Sequence, residues 1–186
     1  MPLSKRCTEA VSFDSSHPHK YDEPLFGVFF SANTRNNYYS LPLLYLQHMQ
    51  EILTTVGDST KCPVALIIRG DKILLGHRHY TPDKWKTISV WTCPGGRCDE
   101  GETTEAALRR EVAEEIGVEN LEVVEYLGEF PGAHEPDRVP VFLCHIHEEP
   151  QNSEPHKFSE WKWFSKEDFP DTFINKEVEK LIKTVL

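Results

Sequence analysis

The sequence predicts an α/β sandwich with a mixed sheet, preceded by an N-terminal extension that contains an amphipathic helix. Three observations carry this expectation. Some stretches repeat their apolar residues at helical spacing, while others are short, β-rich apolar runs. The short runs are joined by turn residues close enough to form hairpins, yet helical stretches interrupt them, and a layered mixed sheet accommodates both. Finally, 186 residues with 39% hydrophobic and 27% charged side chains suit one domain with a sizeable core and an appendage. The boundary is set at residues 1–60 for the extension and 61–186 for the main domain.

Residues 1–24 are polar, carry a His-Pro-His cluster at His17 to His19, and read as a loose lead-in. The apolar run Leu25–Ala32 reads as a strand, followed by the polar turn Thr-Arg-Asn-Asn. Leu41, Tyr45, Met49, Ile52, Leu53 and Val56 follow helical spacing and predict an amphipathic helix over Leu41–Val56, stopped by Gly57. Its apolar face has to bury against the main domain or against a second subunit. From Val64 the pattern changes to two strands joined by a Gly-Asp turn (VALIIRG-DKILLGHR), then a third at Ser89–Pro94. A helix begins at Thr103, a good N-cap with Glu105 in the first turn, and stops at Gly117; Leu108, Val112 and Ile116 form its core-facing stripe. Strands are expected at Leu121–Phe130, Val139–Ile146 and Ser159–Phe164. A closing helix from about Ile174 carries Val178, Leu181, Ile182 and Val185 on one side.

The net charge of −10 repels phosphate backbones and weighs against binding long nucleic acid, while leaving room for a small anion wherever a divalent cation inverts the local field. Five cysteines, Cys7, Cys62, Cys93, Cys98 and Cys144, make an odd set without a CxxC pair, which fits reduced thiols rather than a disulfide framework or a zinc ribbon. No apolar run reaches membrane-spanning length, and Met1–Ala10 lacks the apolar centre of a signal peptide. The expected location is cytoplasmic, with no membrane partner.

The most informative residues are Glu111, Glu114 and Glu115. On a helix, positions three and four apart share a face, so the three carboxylates repel one another by about 0.2–0.5 kcal/mol per pair and invite a cation. Oxygen donors without interleaved His or Cys suit Mg²⁺ or Mn²⁺ better than zinc. Gly95 and Gly96 form a tight turn that allows backbone to approach an ion. Arg110, one turn before Glu114, can pair with it or with Glu102.

Read through, the segment runs Gly96, Glu102, then Arg110-Glu111-Val112-Ala113-Glu114-Glu115-Ile116-Gly117-Val118. It resembles the Nudix box of the Nudix (MutT-like) hydrolases at every position that defines the box. The resemblance implies an α/β/α sandwich over about residues 62–186, with Mg²⁺ or Mn²⁺ as cofactor. It further implies that the Gly95 carbonyl, Glu111, Glu114 and Glu115 bind the cations, that one of these glutamates can act as a base toward water, and that Glu102 orients the others. Members often complete the site with a carboxylate from the loop before a Trp-bearing strand. Glu154 stands in that place, with Glu148 and Glu149 as competitors. Arg78 matches a position that often carries a phosphate-contacting basic residue.

The implied reaction is hydrolysis of a nucleoside diphosphate linked to another moiety, with a nucleoside or deoxynucleoside triphosphate favoured, giving a monophosphate and pyrophosphate. ADP-ribose or another nucleotide-sugar, dinucleoside polyphosphates and the 5′ end of RNA are alternatives, as is a non-catalytic nucleotide-binding module. The stretch Thr81–Trp91 is longer than in compact MutT-like members, Gly132–Arg138 reads as an extended loop, and Pro131 lies near where ADP-ribose pyrophosphatases carry a proline. Trp85, Trp91, Phe130, Phe158, Trp161 and Trp163 are candidates for stacking on a base. His77, His79, His145 and His147 are expected to be structural or exposed, and Cys93 and Cys98 bystanders. The extension is a candidate homodimer contact or a cap on the core.

Overall fold

A computed structural model describes residues 43–78 and 89–186; the readings made for residues 1–42, for His79 and for Trp85 lie outside the described residues. The elements in order are α1 (Leu43–Thr54), β1 (Val64–Arg69), β2 (Lys72–Arg78), β3 (Val90–Thr92), α2 (Thr104–Ile116), β4 (Glu122–Pro131), β5 (Arg138–His145), β6 (Phe158–Phe164) and α3 (Lys176–Val185). No helix among the described residues is long and apolar enough to cross a membrane.

One mixed sheet runs β3-β2-β1-β5-β4, with β6 also paired to β2. The β1 and β5 strands are parallel, Val64 to Ile67 lying beside Val141 to Cys144; the other pairings are antiparallel. Ile73–Arg78 pairs along its length with β6, while β1 and β3 share the opposite edge of β2. Strand alternation divides the core between the two faces of this sheet. Ala65, Ile67, Leu74, Phe142 and Cys144 point toward α2, where Leu108, Val112 and Ile116 meet them. Leu66, Ile73, Leu75, Val139 and Val141 point the other way, onto Val178, Leu181 and Ile182 of α3. Helices cover both faces, so the central strands are almost continuously apolar, and the result is an α/β/α sandwich.

The α1 helix ends two residues earlier than its periodicity suggests, at Thr54. Leu53 is buried and Met49 and Ile52 pack on the α2-side core, but Val56 is exposed, because the chain has left the helix there to bridge Thr103. Gly57 N–H donates to the Glu102 carbonyl at 2.9 Å and Thr104 N–H to the Thr55 carbonyl at 2.9 Å. The end of α1 therefore braces the start of α2. Tyr45 adds a second anchor, its hydroxyl donating to the Tyr126 carbonyl at 2.6 Å. On α2 the caps are those read from sequence: Thr103 accepts from Ala106 N–H, and Gly117 takes φ 68°, the left-handed conformation that ends the helix.

The closing helix starts two residues later than its apolar spacing implies, because Asn175 is the N-cap. Its Oδ1 accepts from Glu177 and Val178 N–H, and its Nδ2 donates to the Pro131 carbonyl at 2.9 Å. Ile174 precedes the helix, its amide donating to the Trp91 carbonyl. Asn175→Ala loses both the cap and the tie to β4, so its unfolding free energy in urea is expected to fall by about 1–2 kcal/mol; an unchanged midpoint and slope would show that the cap contributes nothing.

Candidate functional site

The β3–α2 loop folds the Gly95–Gly96 turn onto the glutamate face of α2. Gly95 N–H donates to Glu115 Oε2 at 3.0 Å. A Cβ on Gly96 would come within 2.4 Å of the Glu111 carboxyl, so glycine here lets the carboxyl lie against the turn and a larger residue would push it aside. Glu115 is buried, with 5% of its surface exposed, and Glu111 is largely buried. Loss of hydration pushes both carboxyls up, Glu115 furthest; the Gly95 amide opposes this at Glu115 and Arg110 opposes it at Glu111.

Arg110 organises the acidic side of the helix. Its Nε and Nη2 each donate to a different oxygen of Glu102 at 2.9 Å, Nη1 donates to Glu111 at 2.9 Å and more weakly to Glu114 at 3.4 Å, and Nη2 also reaches the Arg97 carbonyl at 2.9 Å. The hydrogen bonds from Arg110 hold the Glu102 carboxyl below the usual glutamate range. Glu102 additionally accepts from Asp99 N–H at 2.9 Å, which closes the loop before α2.

The loop before β6 caps the other end of α2. Gln151 N–H donates to the Ile116 carbonyl at 2.9 Å and Ser153 N–H to the Glu115 carbonyl at 3.1 Å, and this carries Glu154 close enough to Glu115 for their charges to interact. Lys157 Nζ lies 2.7 Å from Glu154 Oε1, while Glu154 Oε2 is buried without a hydrogen-bond partner among the described residues. Glu148 instead accepts from Asn120 at 2.7 Å and Glu149 from Arg69 at 2.8 Å. Arg78 is the last residue of β2, with its guanidinium over the Phe158 ring at 5.8 Å and its Nε buried without a hydrogen-bond partner among the described residues. Its charge favours ionisation of Glu115.

These groups border a cavity of about 360 Å³ lined by Arg78, Gly95, Gly96, Glu111, Glu115 and Lys157, and further by Arg97, Asp137 and Phe173. Glu102, Glu114 and Glu154 are not among its lining residues. Glu114, half exposed, turns toward Arg110, and among the described residues no three His, Cys, Asp or Glu side chains converge as a metal cluster. The donor chemistry still suits a hard divalent cation: two buried, under-compensated carboxylates, an unpartnered oxygen on Glu154, and no imidazole or thiolate needed.

Several cavity residues had no warning in the sequence reading. Lys157 could have been found as the i+3 partner of Glu154, and Arg97 as the residue after Gly96. Among the described residues Phe173 brings a phenyl ring to the cavity, whereas Trp161 and Trp163 pack on the α2-side core and Trp91 on the α3-side core. His77 bonds Ser159 and Ser89 and stacks on Trp91 at 4.7 Å. Cys62 borders the cavity with its thiol pushed up to about 11 by burial, and burial raises Cys93, Cys98 and Cys144 as well; these protonated thiols are poor nucleophiles.

A model of the NUDIX domain matches residues 61–185. Among curated proteins, an RNA pyrophosphohydrolase of Sulfurovum sp. is 56% identical over 68 residues, which is 37% of this chain and 41% of that protein. An NAD-capped RNA hydrolase of Haemophilus influenzae is 31% identical over 108 residues, 56% of this chain and 39% of that protein. The matches thus span about two fifths of these relatives. Among solved structures, a MutT NUDIX hydrolase from Burkholderia pseudomallei superposes with a TM-score of 0.54 at 27% identity, over 68% of this chain and 98% of that one. The glycine turn facing Glu111 and Glu115, the sandwich that holds it and the family match over 61–185 agree: this chain belongs to the NUDIX domain family.

Proposed function

We propose that this chain hydrolyses the phosphoric anhydride of a nucleoside diphosphate linked to another group, with a nucleoside triphosphate as the favoured substrate and a monophosphate and pyrophosphate as products. The observation that carries this reading is the buried Glu115 and the largely buried Glu111, set against the Gly95–Gly96 turn in a cavity that also presents Arg78 and Lys157. Nudix hydrolases generally use divalent metal ions, and the residues that would hold Mg²⁺ or Mn²⁺ here are Glu111, Glu115, the Gly95 carbonyl and, by a change of rotamer, Glu114. When bound, the ion neutralises the diphosphate and lowers the pKa of water.

The chain's own groups supply the rest. Arg78 and Lys157 place positive charge beside the transferred phosphorus and favour the developing charge on its oxygens. Glu154, which stands behind the cavity lining beside Glu115, turns its Oε2 into the cavity to accept the proton of the attacking water as the water oxygen bonds to phosphorus, while Lys157 holds Oε1 of the same carboxyl. The bond from phosphorus to the bridging oxygen breaks and pyrophosphate departs. Arg110 and Glu102 keep the acidic face of α2 in register and touch no substrate. A cavity of about 360 Å³ lies near the small end of the roughly 300–1,000 Å³ typical of ligand sites, which suits one nucleoside better than two.

A second reading takes a 5′-phosphorylated RNA end as substrate. The Sulfurovum relative's name favours it, and the net charge of −10 weighs against it. The deciding experiment is a panel of nucleoside triphosphates, ADP-ribose, a dinucleoside tetraphosphate and a 5′-triphosphorylated oligoribonucleotide, incubated with Mg²⁺ or Mn²⁺ and separated by product. Pyrophosphate release from the free triphosphates supports the first reading, and cleavage confined to the oligonucleotide supports the second. Silence throughout leaves a nucleotide-binding module. In Glu154→Gln, turnover is expected to fall about 100-fold with KM unchanged; full activity would pass the base to another carboxylate.

A further inference from the structure

Arg97 directly follows Gly96, and its guanidinium grips Asp137 in the turn between β4 and β5. Nη1 donates to Oδ1 at 2.8 Å and Nη2 to Oδ2 at 2.6 Å, the parallel two-bond arrangement that fixes direction as well as distance. Nη1 also donates to the Ser59 carbonyl. One side chain thus joins the segment before β1, the glycine turn of the site and the β4–β5 turn. Asp137 is buried, with 8% of its surface exposed, as is only one other charged residue, Glu115, among the described residues. Both its carboxylate oxygens are taken by Arg97, which makes the pair a constraint on geometry rather than a ligand for phosphate.

The turn that it grips is tightly built. Gly132 N–H donates to the Asp137 carbonyl at 2.8 Å and Asp137 N–H to the His134 carbonyl at 2.8 Å; a Cβ on Gly132 would lie 2.3 Å from that of Asp137. Asn175 Nδ2 ties the preceding Pro131 carbonyl to the start of α3. Gly132, Ala133, His134 and Asp137 line the same cavity as Glu111 and Glu115, but they belong to a different connection of the fold. Only Arg97 holds that connection by a charged side chain to the loop bearing Gly95 and Gly96, among the ion pairs of the described residues.

We infer that Arg97 and Asp137 form a positioning pair that sets the β4–β5 turn against the glycine turn and so shapes the part of the cavity holding the nucleoside, away from the bond that breaks. The inference rests on the nucleotide reading of the site. Substrate affinity and substrate choice depend on this pair, and the chemical step does not. Arg97→Lys keeps the charge and loses the two-bond grip, whereas Asp137→Asn keeps the shape and loses the charge.

The test uses ATP, GTP, CTP and UTP as substrates and their α,β-methylene analogues as calorimetric probes, on the full chain with Mg²⁺, with thermal midpoints checking that each variant is folded. Each single variant is expected to raise KM and analogue Kd about tenfold with kcat within about threefold of wild type, and the double variant to be no worse than the weaker single, as for residues acting as one unit. Additive effects, or a fall in kcat at unchanged KM, would overturn the pair's role. Should the wild type bind an analogue and hydrolyse nothing, the hydrolase reading fails while the Kd comparison still decides the pair. Unchanged Kd in both variants, or no binding of any analogue by the wild type, overturns the inference itself.

Discussion

Glu115→Gln is expected to lower turnover by about 10³-fold, equivalent to about 4 kcal/mol of transition-state stabilisation, while leaving the fold intact. The glutamine oxygen can still accept the Gly95 amide bond that Glu115 Oε2 accepts at 3.0 Å, so the turn keeps its place and only the charge is removed. Burial makes that charge costly in the absence of a cation and strong in its presence. Steady-state kinetics at saturating Mg²⁺ measures the loss. Turnover within tenfold of wild type would remove Glu115 from the reacting centre.

The same substitution should stabilise the metal-free protein, in a defined pH window. Burial raises the Glu115 carboxyl well above the ordinary glutamate value of 4.5, so the folded state holds this proton more tightly than the unfolded chain does. Stability from this group is fully present below about pH 4.5 and is lost as pH rises through the elevated folded value. Thermal midpoints in EDTA should therefore coincide for wild type and Glu115→Gln at pH 4 and separate toward pH 8, with the variant higher. Mg²⁺ should narrow the gap by binding the native wild type. Glu102 behaves oppositely: Arg110 lowers its carboxyl, so its contribution is present above the ordinary glutamate value and disappears as pH falls through the depressed one. An apo gap that widened toward acid would contradict the burial argument for Glu115.

Sequence and structure agree most closely where local chemistry and burial pattern coincide. The caps of α2, Thr103 and Gly117, were legible because each satisfies groups within its own helix. The two faces of the sheet were legible as apolar runs, since both are covered by helices. Helix ends governed by distant partners were not: Val56 leaves α1 to bridge Thr103, and Asn175 takes the N-cap while holding Pro131. The site divides in the same way. Glu111, Glu115 and the glycine turn sit in one continuous segment and could be read from spacing. Asp137 and Phe173, which both line the cavity, come from connections far apart in sequence, and no periodicity marks them. Helical spacing alone also put Glu111, Glu114 and Glu115 on one face, yet the structure gives them unlike surroundings, because the glycine turn covers Glu111 and Glu115 and leaves Glu114 half exposed.

Gly95→Ala should be the most damaging glycine substitution in the chain's described part, costing about 3–5 kcal/mol in urea unfolding through backbone strain plus overpacking. Gly95 has φ 142°, and its missing Cβ would lie 2.3 Å from the Pro63 carbonyl oxygen and 2.8 Å from the Val64 Cα. Both obstacles are backbone, so no rotamer relieves them. Nor can the turn move alone, because Ala65 N–H bonds the Pro94 carbonyl at 2.9 Å and Val64 bridges Gly95, at the head of the strand that carries Leu66 into the core. Two neighbours separate the causes. Gly101, at φ 81° with nothing within 4 Å of its Cβ position, should cost only about 1–2 kcal/mol as alanine, from backbone conformation alone. Gly96→Ala would press on the end of the Glu111 side chain at 2.4 Å, which can swing aside, so that variant should stay folded and lose turnover. If Gly95→Ala proved no more costly than Gly101→Ala, the close approach of the turn to Pro63 would be wrong, and with it the geometry that places a backbone amide on Glu115.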